Sequence, residues 1–343
     1  SLHARLELAK LQLQLQKPED AEKTIHTLME LLPERADFYA LLGQALLDQG
    51  DTDNASDAFD KTIELAAQPL DYMVHIAQQY EAAEEKDRAL ELFKRAIDEQ
   101  PGAANRHNLL GEMFLQRGER EKALKEIELA DSLLPGNGRI LFNLAKIHFD
   151  NGDINTAIKK LQETLKANPF HLGARKQLGL ILKRLGNLEE AVTQLSKVIR
   201  QEPDEVDLRM HHAEACISLR KFDAAETDYR QLLKNNPDEF SPALGLAWVL
   251  AVNPDSTPEQ RTEAVTLATR VVALTGRRSA KPLDVLAVAW ASTGKFDKAQ
   301  SCAEEALKLA MFGRDQKFTT EVTKRLELFQ VKKAYQMPAE DGH

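Results

Sequence analysis

The chain has 343 residues, 43% of them hydrophobic and 29% charged, with only 6% aromatic residues, 16 Gly and 13 Pro. That composition supplies an extended aliphatic core but few rings to fill it, so small side chains must let the elements approach closely. A net charge of −9 argues against a general nucleic-acid binder, which needs a surplus of Lys and Arg on at least one face. The apolar stretch from Leu244 to Val252 is nine residues, against the ~20 that a membrane-spanning helix requires, so no direct membrane insertion is expected. Cys216 and Cys302 lie far apart without metal-like spacing and are expected to be buried thiols.

Six prolines, Pro33, Pro101, Pro135, Pro169, Pro203 and Pro237, are separated by 34 or 68 residues. A fixed period of this length marks a repeat array rather than two or three globular domains. On that period, repeats begin near Leu2, Ala36, Leu70, Ala104, Gly138, Leu172, Val206 and Phe240, and a ninth begins at Ala280 after an insertion. Position 8 is always Ala or Gly, from Ala9 and Gly43 to Ala287, and position 20 is Ala in all nine repeats, from Ala21 to Ala299. Antiparallel helices approach closely only where neither carries a bulky side chain, so these columns predict where the two helices of a repeat cross. Larger plugs surround the crossing, such as Leu42, Ile76 and Leu110 at position 7, and Phe59, Phe93 and Ile127 at position 24. Gly50, Gly118, Gly152, Gly186 and Gly294 predict left-handed C-caps between the helices, with the polar residue that follows capping the next helix. Each proline ends a second helix, because the residue before it avoids the α region.

In chain order, the first helix carries Leu2, Leu6, Leu8, Leu11, Leu13 and Leu15, and a helix apolar all round expects neighbours on both sides. Ser1 is therefore expected to be a cut edge with native chain before it, and the bare edge offers a route to self-association. In repeat eight the stretch from Val252 to Pro258 lengthens the turn by five residues, and Thr257, Pro258 and Gln260 predict a capping box. After Gly313, the spacing of Phe318, Val322, Leu326 and Phe329 predicts one amphipathic helix over 314–335 that covers the open edge of repeat nine. Residues 338–343 are expected to be a disordered tail.

These columns, from about Leu2 to Gly313, resemble the tetratricopeptide repeat family. The resemblance implies an all-α, right-handed superhelix of about nine helix-turn-helix repeats with a C-terminal capping helix, first helices lining a concave groove and second helices outside. In that geometry positions 2, 5, 9, 12 and 13 of each first helix face the groove. They read acidic in repeats two to four, with Asp37, Asp48, Asp71, Glu81 and Glu112. In repeats five and six they become basic, with Arg139, Lys146, Lys176, Lys183 and Arg184 accompanied by Phe142 and Phe149. In repeats eight and nine they are largely apolar, with Leu244, Trp248, Val252 and Val288. Clustered like charges repel, so the basic section is expected to attract an anionic ligand. The expected function is a non-catalytic scaffold holding a protein or peptide partner, acidic where it meets the basic section. Residues 281–310 also resemble repeat segments of bacterial multidomain, glycosyltransferase-like membrane proteins, which implies an alternative role in assembly or substrate recruitment for a larger enzyme.

Two specialised patterns of the family do not fit. No three consecutive repeats supply the Lys, Asn and Arg set of the chaperone-type carboxylate clamp. Position 6 reads Glu7, Leu41, His75, Leu109, Asn143, Gln177, His211, Gly245 and Val285, which breaks the asparagine ladder of O-GlcNAc transferase arrays. His211 and His212 point about 100° apart on a helix and cannot share one metal ion. His212 replaces a position-7 leucine and is expected to be a core histidine with a hydrogen-bond partner. Without a phosphate loop, HExxH or GxSxG, no catalytic residue, metal or cofactor is expected.

Overall fold

The computed structural model describes residues 2–337, in which every regular element is a helix. The expected tail at 338–343 lies outside the described residues. The chain forms two compact units, residues 1–169 and 170–343.

The first unit holds five helix pairs: α1 (Leu2–Gln14) with α2 (Pro18–Met29), α3 (Ala36–Asp48) with α4 (Thr52–Leu65), α5 (Pro69–Ala82) with α6 (Lys86–Glu99), α7 (Ala104–Gln116) with α8 (Arg120–Leu133), and α9 (Gly138–Asp150) with α10 (Ile154–Ala167). Helix α5 starts one residue ahead of the 34-residue register because Pro69 takes the first helical position, where its missing N–H costs nothing. Gly50, Gly118 and Gly152 are left-handed, as their place after a first helix requires. Gln16 and Glu84 hold the same position with positive φ and no glycine. The polar residue after the turn caps unevenly: Asp51 and Asp153 accept from the third backbone N–H, while Glu119 makes no side-chain cap.

Inside each pair the small-residue columns do what the sequence predicts. Ala21, Ala55, Ala89, Ala123 and Ala157 are fully buried. The position-8 glycines are there for space, since a Cβ on Gly43 would lie 2.4 Å from the Phe59 ring and one on Gly111 would lie 2.2 Å from Ile127 Cγ1. Gly111→Ala is therefore expected to cost about 1–3 kcal/mol through overpacking. Chemical denaturation of Gly111→Ala, alone and with Ile127→Val, checks this, and the second change should restore part of the loss. At the start of the unit, Leu8, Leu11 and Leu15 are about half exposed. In later repeats of the unit the position-7 side chains Leu42, Ile76, Leu110 and Leu144 are buried.

The second unit holds α11 (Leu172–Arg184) with α12 (Leu188–Ile199), α13 (Val206–Ser218) with α14 (Phe222–Asn235), α15 (Phe240–Val252) with α16 (Pro258–Leu274), α17 (Ala280–Ser292) with α18 (Phe296–Phe312), and a final helix α19 (Gln316–Gln330). The insertion forms the α15–α16 turn, and Thr257 and Gln260 make the full capping box with Pro258 at the first helical position. Helix α19 packs along α18 and buries Val322, Leu326 and Phe329. It is shorter than the 314–335 expected from periodicity: the helix stops at Gln330, and the chain turns at Lys332.

Candidate functional site

Neighbouring first helices approach one another within each unit, α1 with α3, α3 with α5 and α7 with α9 in the first, α11 with α13 and α15 with α17 in the second. Side chains on these inner faces are the candidates for ligand contact, and the structure treats the sequence-predicted ones in three different ways.

In the first unit, Arg139 is exposed but engaged, its guanidinium gripping the Glu112 carboxylate through two bonds of 3.0 and 2.7 Å. Glu112 also accepts from Asn143 at 2.6 Å and Asn108 at 3.0 Å, and Asn143 donates to Asn108 at 2.9 Å. Asn108 and Asn143 are buried, so this cluster ties α7 to α9 at the floor of the inner face. A cavity of about 360 Å³ opens beside it, with Gln78, Glu81, Glu112, Gln116 and Arg139 among its walls. Burial pushes the Glu81 carboxyl above its usual range, an effect that nearby Arg117 partly offsets. Further along α9, Phe142, Lys146 and Phe149 are half-buried on one face at i, i+4 and i+7. Lys146 makes no ion pair among the described residues.

In the second unit, Lys176 is bonded to Glu205 at 2.6 Å. Lys183 is paired with Glu214 and lies 3.0 Å from His211 Nδ1. Burial tends to raise the Glu214 carboxyl, but the Lys183 hydrogen bond and charge outweigh it and leave the group below its usual range. Arg184 is exposed and makes no ion pair among the described residues. The expectation of five mutually repelling cations is thus corrected: Glu112, Glu205 and Glu214 from adjacent repeats neutralise Arg139, Lys176 and Lys183.

The apolar groove patch expected in repeats eight and nine is also corrected. Leu244, Val252 and Val288 are 6%, 3% and 1% exposed and belong to the unit's core. Small residues on α15 and α17, among them Ala251 and Ala287, let these two helices close on each other and leave the apolar column inside. Trp248 alone reaches the inner face, half-buried, and there the chain's own C-terminal segment covers it: its ring sits 5.8 Å from that of Tyr335.

Two clusters escaped the sequence reading. At position 4 of repeats four and seven, a histidine and an arginine join the preceding proline turn to their own second helix. His107 reaches the Pro101 carbonyl at 2.9 Å and Glu126 at 2.8 Å. Arg209 donates to the Pro203 carbonyl at 2.9 Å and to Asp228 at 3.0 Å. The signal in the sequence is a histidine or arginine at position 4 with an acid at position 23, legible only once the repeat register and the fold are both known. Asp228 also accepts from His212 Nδ1 at 2.5 Å, and His212 Nε2 lies 2.8 Å from Ser196 Oγ. Serine, histidine and aspartate in this order have the connectivity of a nucleophilic triad, but the protonation is wrong for one. Burial alone would lower the His212 pKa, yet the Asp228 hydrogen bond, the Cys216 contact and the Asp228 charge overcome it and raise the value to about 9. An imidazolium has no lone pair to accept the serine proton, and the Ser196 hydroxyl donates instead to the Val192 carbonyl at 2.7 Å. The cluster is a buried charge network that fixes α12, α13 and α14 together. As expected for a position-7 replacement, His212 is a core histidine with partners.

Among the described residues, no group of His, Cys, Asp and Glu is placed to hold a metal ion, and no helix is long and apolar enough to cross a membrane. A tetratricopeptide repeat model matches residues 6–71, 76–138, 142–206, 176–239 and 212–257. Among solved structures, the chain is similar to Pseudomonas aeruginosa PilF, at 18% identity and a TM-score of 0.50 over 60% of this chain and 94% of that one. It is similar to the C-terminal part of a repeat-containing protein from Cytophaga hutchinsonii, at 19% identity and a TM-score of 0.51 over 69% of this chain and 95% of that one. A repeat protein from Parabacteroides merdae matches at 19% identity and a TM-score of 0.46, over 77% of this chain and all of that one. No curated protein matches. At such identities the likeness to these structures is one of fold alone.

Proposed function

Because this chain belongs to the tetratricopeptide repeat family, we propose that it is a non-catalytic scaffold that holds a protein or peptide against the inner faces of its first helices. The observation that carries this reading is the stripe of Phe142, Lys146 and Phe149 on α9. An ammonium group that makes no ion pair among the described residues shares a helix face with two half-buried rings, an arrangement suited to a partner carboxylate flanked by apolar side chains. On the second unit, Arg184 of α11 makes no ion pair among the described residues and is a separate candidate contact. Arg139, Lys176 and Lys183 act differently, since their charges are already matched by glutamates; they shape the faces on which Lys146 and Arg184 stand.

Anisotropy titration of labelled acidic, phenylalanine-containing peptides at low and physiological salt tests the assignment. Lys146→Glu is expected to weaken binding about fivefold or more at low salt, in keeping with the loss of about 1 kcal/mol for an exposed charge contact and the added repulsion. Salt should narrow the difference. Equal affinity of wild type and this variant at low salt would remove the basis for an acidic ligand on these faces.

A further inference from the structure

Beyond α19 the chain stays on the second unit. Lys332 is left-handed, with φ of 55°, and the N–H groups of Lys332 and Lys333 donate to the Phe329 and Leu328 carbonyls. This Schellman-type turn closes α19 and releases Lys333–Met337 as non-helical chain. Tyr335 and Met337 are half-buried against the unit's core, whereas Ala334 and Gln336 are exposed. Such in-and-out alternation is that of an extended strand.

The strap meets α19, repeat eight and repeat seven. Buried Arg325 of α19 is held by buried Asp284 of α17 at 2.9 Å. Its guanidinium carbon lies 5.4 Å from the centre of the Tyr335 ring and 5.6 Å from that of Trp248 in repeat eight. In the turn between α13 and α14 of repeat seven, Arg220 donates to the Met337 carbonyl. An aromatic side chain thus enters a cage of one indole and one fixed guanidinium, both attractive to a π face, and a backbone carbonyl two residues later finds a donor. These are the elements by which extended peptides are recognised: backbone hydrogen bonding for register and alternate side-chain pockets for selectivity.

We propose that residues 331–337 are a resident, displaceable ligand, and that the surface formed by the α13–α14 turn, α15 and α19 is a site for an extended external segment carrying a tyrosine, which must expel the strap to bind. The residues are distinct from Lys146 and Arg184, so the site stands whether or not those take an acidic partner. The strap's hold is slight enough to yield: Val331 to Ala334 and Gln336 are exposed. Its advantage is proximity, since a short tether gives a local concentration in the millimolar range. An external segment therefore binds more weakly than the open site would allow, by the fraction of time the strap is off.

The probe is a synthetic peptide of residues 331–337, titrated onto the full chain and followed by tryptophan fluorescence, since the peptide contains none and Trp248 lines the site. Tyr335→Ala is expected to bind the peptide at least about tenfold more tightly than wild type and to expose Trp248 to acrylamide quenching. The same peptide with alanine for tyrosine should bind neither protein. Arg220→Ala, which removes only the Met337 anchor, should give a smaller gain in the same direction and serves if Tyr335→Ala misfolds. Equal affinity of wild type and both variants, or no binding by a folded Tyr335→Ala chain up to about 1 mM, would overturn the proposal. Neither result bears on the acidic-peptide titration, whose probe and variants are different.

Discussion

Asp228→Ala is expected to destabilise the second unit by about 3–5 kcal/mol, the range seen when one member of a buried ionic group is removed. Asp228 is 4% exposed and is bonded to both Arg209 and His212, themselves 7% and 8% exposed. Its loss strands one guanidinium and one imidazolium in the core, and the imidazolium must then give up its proton. The same geometry fixes a pH dependence. With its folded pKa raised to about 9 from an ordinary 6.5, His212 binds a proton more tightly in the folded chain than in the unfolded one. The stabilisation is complete below about pH 6.5 and is lost as the pH rises through 9, amounting to about 3 kcal/mol in all. Denaturant unfolding followed by circular dichroism between pH 6 and 10 checks both statements. Wild type should weaken across that interval, and Asp228→Ala should be weak throughout with the slope largely gone. A wild-type slope that survives in His212→Gln would assign the effect to another group.

Arg325→Ala is expected to be nearly as damaging, again about 3–5 kcal/mol, because it leaves the Asp284 carboxylate buried at 2% exposure without its partner. Burial pushes that carboxyl above its usual range, and Arg325 offsets part of the push; without the arginine the group is expected to fold protonated, so the damage should shrink at low pH. Hydrogen exchange along α17 and α19 would localise the loss. Replacing both partners together, with Asp284→Leu and Arg325→Met, is expected to recover most of the stability, since a well-packed apolar pair avoids the desolvation cost that the ion pair only offsets. It should not recover the Tyr335 cage, which needs the guanidinium. The double variant therefore separates the fold's need for the pair from the strap's need for Arg325.

The fold was legible because its determinants recur. One alanine at position 20 says little, but nine in register, together with the proline period and Gly50, Gly118 and Gly152, define helix pairs and their crossing. The faces were less legible, for two physical reasons. Helical periodicity tells which side chains share a face, not what covers that face. Leu244, Val252 and Val288 sit at inner positions by register, yet α15 and α17 close over them, and Tyr335 reaches Trp248 from 87 residues further along the chain. Charges read down one column also omit neighbours in the next repeat. Lys176 meets Glu205 and Lys183 meets Glu214, 29 and 31 residues away, so a basic column became a set of pairs. Asn108 and Asn143 occupy different positions in their repeats, and only the packing of α7 on α9 brings them together.

The position-4 latches give each array a direction. Pro101 and Pro203 end one repeat, but their carbonyls are held by His107 and Arg209 of the repeat that follows. A turn fastened from downstream keeps a hydrogen bond worth about 1 kcal/mol while the downstream helix pair is intact, even when the upstream side frays. In a linear array whose stability is a sum of neighbour terms, this makes the joints after repeats three and six one-way hinges. Opening from the C-terminal side releases the latch first, whereas opening from the N-terminal side meets it last.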